Sequence, residues 1–169
     1  MKTLFWLVFA AMAAVYAAML LWTLPQIAAD AGGLAPFDMR PFGYSLDEAR
    51  AFLGALSADG KALYIDVQHR LDLVYPALLA ATLSLAAARL GQPGWLRWAA
   101  IAAALSGMVF DYLENWTVGR MLEAGPESLT VDLVAAASRW TVLKSAFTTV
   151  AMLAVVAMLA WRFILKRRA

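Results

Sequence analysis

Apolar residues fall along this chain in four long blocks, each about the 20 residues that a helix needs to cross the hydrocarbon core of a bilayer. The first covers residues 4–26 and opens LFWLVFAAMAAVYAAMLLWTL. The second, LDLVYPALLAATLSLAAARL, covers residues 71–90; the third runs from Trp95 to Val118, and the fourth covers residues 141–165. The pattern predicts an all-α integral membrane protein, a four-transmembrane-helix bundle formed by residues 1–169 as a single membrane domain. Lys2 before an apolar run and Ala29-Asp30-Ala31 after it resemble a secretory signal. The run is about twice the 7–15 residues of a signal core, however, which favours a retained helix.

The connections differ in character. Residues 28–63 are too long for a simple link between packed helices. They begin with the Gly- and Pro-rich AADAGGLAPFDMRPFGY, then give Ser45-Leu46-Asp47-Glu48 ahead of EARAFLGAL. Ser at the N-cap with Glu three residues on is a capping box, so a short amphipathic helix starts there. With Phe37, Phe42, Tyr44, Phe52 and Leu53 it is expected to lie at the membrane interface or cap the bundle, and an interfacial helix is favoured over a moving lid. GQPG at residues 91–94 reads as a tight turn that makes spans two and three antiparallel neighbours. After MLEAGPESLT, the stretch VDLVAAASRW is helical in character and runs straight into the fourth span, making it longer than the bilayer.

Composition agrees: 63% of residues are hydrophobic and 15% charged, and mean hydropathy is +0.69, beyond the range of an ordinary soluble domain. Charge sets the orientation. With the N-terminus cytoplasmic, the cytoplasmic ends carry Lys2, Arg89, Arg97, Arg162, Lys166, Arg167 and Arg168 and no acid. The expectation is therefore a bacterial cytoplasmic (inner) membrane protein with both termini cytoplasmic and an extracytoplasmic helical loop between spans one and two. The tail RFILKRRA is first a snorkelling anchor; anionic lipid at the cytoplasmic face is the alternative partner. A pI of 9.1 arises from these anchors and calls for no nucleic acid.

The polar residues inside the spans are the candidate chemistry. At 100° per residue, Tyr64, Gln68, Asp72 and Tyr75 share about a quarter of one helix's circumference, with His69 beside them and Asp66 and Arg70 turned away. Gly107, Asp111, Glu114 and Asn115 cluster on the third span; Trp140, Thr141, Lys144 and Thr148 cluster on the fourth. Counting from the cytoplasmic ends brings all three sets to one layer in the outer leaflet. Intramembrane polar groups are costly and face partners or water, so the acids of DYLENW are expected to meet Lys144. Asp72, Asp111 and Glu114 still outnumber that lysine; protons, a bound cation, water, or a second base among His69, Arg120 and Arg139 must balance the rest. Pro76 adds an acceptor, because a proline inside a helix frees the carbonyl four residues earlier, here that of Asp72.

Three roles fit such a layer. The leading one is a site that binds or transforms a lipid or other amphiphile, with Asp111, Glu114, Asp72 and Lys144 as catalytic groups and Asn115, Tyr75, Gln68, Thr141 and His69 binding substrate. The alternative is a non-catalytic subunit or assembly factor of a larger membrane complex, with other membrane proteins as partners and the layer as internal glue. The third is a proton or ion pathway, against which stands the near absence of polar residues, Thr82 and Ser84 apart, in the inner half of span two. No metal is firmly expected; a divalent ion would be held by Asp72, Asp111, Glu114 and His69. One histidine excludes bis-histidine haem within one chain, the lack of cysteine excludes disulfides and thiolate sites, and no nucleotide-binding or hydrolase motif is present.

Overall fold

The computed structural model describes residues 2–90 and 94–168. The expected GQPG turn, and the side chains of Lys166, Arg167 and Arg168 in the basic tail, lie outside the described residues. Four helices are long and apolar enough to cross a membrane: α1 (Lys2–Asp30), α3 (Ala58–Leu90), α4 (Gly94–Ala124) and α5 (Val131–Arg168). The short α2 (Leu46–Ala55) stands between the first two, and no strand occurs among the described residues. VDLVAAASRW is continuous with the fourth helix, as expected. The second candidate span, α3, begins at Ala58, well before residue 71, because Ser57 caps its first turn by accepting from the Gly60 N–H at 3.0 Å.

The long helices pack as antiparallel neighbours. Ala80, Ala103, Ala104 and Ala151 form one seam between α3, α4 and α5, and Ala87, Ala100 and Met158 form another nearer the chain termini. Small residues let the helix backbones approach closely. Gly107 is the tightest point: a Cβ there would sit 2.7 Å from Thr148 Oγ1 and 3.3 Å from the Thr148 backbone N. In contrast, α1 packs against α3 and makes no extensive contact with α4 or α5.

At about 1.5 Å per residue the 29 to 33 residues of each candidate span reach some 44–50 Å, beyond a hydrocarbon core of about 30 Å. At the loop end the surplus forms a second core with the loop and α2. Ile27, Phe37, Phe52, Tyr64, Met121 and Leu122 are fully buried there, and the Phe37 ring lies 4.7 Å from Tyr44 and 4.8 Å from Phe52. α2 is therefore packed into a cap over the helix ends; Phe42, 96% exposed, is the loop aromatic that points out. The capping box is formed, with the Ser45 N–H donating to Glu48 Oε2 at 2.7 Å and the Glu48 N–H to Ser45 Oγ at 3.2 Å. The Ser45 N–H, and then the Ser45 hydroxyl that donates to the same Oε2 at 2.9 Å, hold the exposed Glu48 carboxyl below its usual range. The loop also docks on α5 through the Tyr44 N–H, which donates to Ser138 Oγ at 2.8 Å. Gly43, at φ +87°, permits that approach, because a Cβ would meet Ser138 Oγ at 2.6 Å.

Two of the helices contain π turns at the same height, Met19–Thr23 in α1 and Tyr64–Gln68 in α3, and the two turns lie against each other. In each, an N–H reaches back five residues, Leu24 to Met19 and His69 to Tyr64. In α1 the cause is local: Pro25 lacks an N–H and its ring crowds the preceding turn, which the wider turn relieves.

Candidate functional site

Between the cap and the alanine seams lies a layer of polar side chains centred on Lys144, one helical turn from Thr141 and Thr148 on α5. Its ammonium pairs with Glu114 Oε2, with Asp111 Oδ1 at 3.5 Å and with Asp38 Oδ1 at 3.6 Å. Among the described residues every ion pair includes this lysine; Asp66 and Arg70 do not pair, although they stand four apart. Glu114 is 1% exposed and fixed from both sides, since Thr141 Oγ1 donates to its Oε1 at 2.5 Å. Asp38 joins the layer to the cap, accepting at Oδ2 from the Tyr64 hydroxyl at 2.6 Å. Tyr44 sits beside Thr141 and Glu114. Burial first, and then the Glu114 carboxylate, push its phenol well above the usual range, so it stays protonated at any physiological pH.

A second chain of bonds runs through α1 and α3. The Thr23 hydroxyl contacts Gln68 Oε1, and Gln68 Nε2 donates to Asp72 Oδ2 at 2.9 Å. Asn115 Nδ2 donates to the Asp72 carbonyl at 3.1 Å, taking up the acceptor that Pro76 leaves without a helical N–H.

An open cavity of about 290 Å³ reaches this layer between α1 and α5. Its polar wall includes Asp38, Asp72, Tyr75, Asp111 and Lys144; Met19, Leu24 and Leu79 give it apolar sides, and Ser145, Thr148 and Thr149 line the α5 edge. Of the residues expected from the sequence, Asp72, Tyr75, Asp111 and Lys144 face the cavity. Gln68, Glu114, Asn115 and Thr141 stand behind them as hydrogen-bonding supports. His69 is set apart: its ring packs 5.4 Å from Tyr64, with Gly119 of α4 across from it, and its buried Nε2 has no hydrogen-bond partner among the described residues. Neither of the other proposed bases joins the layer: Arg139 is exposed, and Arg120 lies over the Trp116 ring at 5.2 Å. No three of the His, Asp and Glu side chains among the described residues are grouped to hold a metal ion, so the set His69, Asp72, Asp111 and Glu114 does not come together as one ligand sphere.

Two contributors were not singled out by the spacing of polar residues within the spans. Thr23 is a lone hydroxyl in MLLWTLP, and Asp38 lies in PFDMRPF, an acid flanked by aromatic residues in a loop. An acid inside so apolar a loop is the signal that could have marked Asp38. No protein-family model, curated protein or solved structure matches the chain.

Proposed function

We propose that this is an integral membrane protein, with both termini cytoplasmic, that takes the polar end of a lipid or other amphiphile through the opening between α1 and α5. The observation that carries this reading is the cavity itself: a polar wall at the loop end, apolar sides, and a flank formed by α1, whose long-helix packing is chiefly on α3. Exposed tryptophans support the membrane setting. Trp22 and Trp116 mark one level and Trp6, Trp95, Trp98 and Trp161 another, each more than half exposed. From Trp6 to Trp22 and from Trp98 to Trp116 is roughly 24–27 Å at about 1.5 Å per residue, close to the depth between the two aromatic belts of a bilayer. The acids sit at the loop-side level, which the positive-inside rule puts outside. If the amphiphile is transformed as well as bound, Asp111 or Asp72 is placed to exchange a proton with it; Glu114 serves to hold Lys144.

The test is to purify the protein in mild detergent and identify copurifying amphiphiles by mass spectrometry, in wild type and in Thr149→Trp. Thr149 is exposed on the cavity edge, so the larger side chain blocks entry without touching the ionic layer. One amphiphile class enriched over bulk lipid, and lost in the variant at unchanged thermal stability, is the expected result. No enrichment, or enrichment indifferent to the block, overturns the reading. It would leave the second one, a non-catalytic component of a membrane complex, which is favoured by the full engagement of Glu114 and by the complete burial of Gln68 and Thr141.

A further inference from the structure

The cavity wall is electrically lopsided: it presents three carboxylates, Asp38, Asp72 and Asp111, and one ammonium, Lys144. That ammonium has three N–H bonds and three carboxylate neighbours, Glu114, Asp111 and Asp38. An anionic group entering the cavity would find no uncommitted cation in its wall. Asp72 is placed differently. It is 2% exposed and lines the cavity, yet among the described residues only Gln68 donates to its carboxylate, at Oδ2. The wall thus holds a carboxyl group whose second oxygen, Oδ1, has no donor among the described residues, and such a group carries its charge where a cation pairs with it. Beside it stand two aromatic faces: Tyr75, three residues on from Asp72 along α3, stacks on Tyr16 of α1 with ring centroids 5.5 Å apart, and both line the cavity. A carboxylate lacking a donor next to tyrosine faces is the combination that recognises an organic ammonium.

We propose that the head group taken by this cavity is cationic: an organic ammonium carried on an apolar tail, held by Asp72 with Asp111 beside it and Tyr16 and Tyr75 against its face. The inference rests on the reading of the cavity as an amphiphile site and specifies its ligand class. It also accounts for the charge of the layer, because one bound ammonium offsets an acid that Lys144 does not reach. Nearer the termini α1, α3 and α5 form a second, separate cleft of about 380 Å³ lined by apolar residues such as Phe5, Trp6, Leu90, Val155 and Leu159, with Arg89 and Arg162 at its edge.

The test uses the full chain in dodecyl maltoside with three amphiphiles of one tail length, hexadecylamine, palmitate and monopalmitoylglycerol, read by native mass spectrometry and thermal shift at pH 7. The amine is expected to bind one to one and raise the melting temperature, and Thr149→Trp to abolish both effects. Asp72→Asn is expected to weaken amine binding by an order of magnitude or more without lowering the melting temperature of the empty protein. Should Asp72→Asn fail to fold, Tyr75→Leu tests the aromatic face instead, with a loss on the order of tenfold expected. Palmitate or the monoglyceride binding as tightly as the amine, and blocked by Thr149→Trp, would overturn the cationic head group and leave the amphiphile site standing. Amine binding indifferent to Asp72 and Tyr75 would overturn it too. Binding of none of the three would bring down both.

Discussion

Replacing Lys144 with methionine removes the ammonium at the centre of the layer while keeping most of the side chain's volume. Deleting one partner of a buried ion pair costs about 3–5 kcal/mol, because the other charge is left without compensation. Here three carboxylates lose their cation, but not equally. Glu114, 1% exposed, keeps only Thr141 as a donor and bears the full penalty, whereas the side chains of Asp111 and Asp38 are 14% and 10% exposed and face an open cavity that admits water. The expected loss therefore stays near the value for one pair and does not multiply by three. For a chain of this length it corresponds to roughly 6–20 °C in melting temperature. Lys144→Met/Glu114→Gln removes the stranded charge and keeps an acceptor for Thr141, so about 1–3 kcal/mol should return. Thermal unfolding in detergent, followed by tryptophan fluorescence for wild type, both single variants and the double, gives the complete cycle. If the double variant is no more stable than Lys144→Met, Glu114 was not what the ammonium balances, and the account of the layer fails.

Three other outcomes are expected. Gly107→Ala forces a methyl against Thr148, including its backbone N, and should cost about 1–3 kcal/mol by overpacking; a neutral melting temperature would show that α4 and α5 do not approach so closely. Pro76→Ala supplies an N–H for the Asp72 carbonyl, so Asn115→Ala, expected to cost about 1 kcal/mol in the wild-type background, should cost less in the Pro76→Ala background. Equal costs in the two backgrounds would refute the link. The Glu48 carboxyl is held below its usual range when folded, so its contribution is present above the unfolded value of about 4.3 and fades as pH falls through the folded one. The melting-temperature gap between wild type and Glu48→Gln should accordingly be visible at pH 7 and close in acid; a gap that widens in acid contradicts the cap.

Much of this architecture can be read from the sequence, because its signals are local. Four uninterrupted apolar runs require four long helices, Ser45 and Glu48 stand at capping-box spacing, and Pro76 marks the Asp72 carbonyl as an acceptor before any neighbour is known. The meeting of Lys144 with Asp111 and Glu114 also follows from position, since depth along antiparallel helices is a matter of counting. What cannot be counted is how a loop closes. Asp38 reaches Lys144 only because the cap packs Phe37 and Phe52 against Tyr64, a tertiary outcome that no spacing encodes. Projection at a uniform 100° per residue fails in the same way where the helix widens: the wide turn at Tyr64–Gln68 breaks the even stripe, and that is the region in which Gln68 turns to Thr23 and His69 turns to Gly119.

The facing π turns of α1 and α3 also constrain how this sequence can change length. Each turn is one residue longer than the α-helical turn it replaces, so removing a residue from 19–23 or from 64–68 would let that helix relax to ordinary geometry. Such a deletion would keep the α-helical segments on either side in phase, whereas one elsewhere in the spans would rotate one side of the cut by about 100° relative to the other. What it would change is local to the wide turns, where Thr23 of α1 meets Gln68 of α3, while Tyr16 stays stacked on Tyr75 outside them. The two wide turns are thus the points within these spans where the chain could lose a residue without turning the rest of the helix, at the expense of the Thr23–Gln68 contact that joins them.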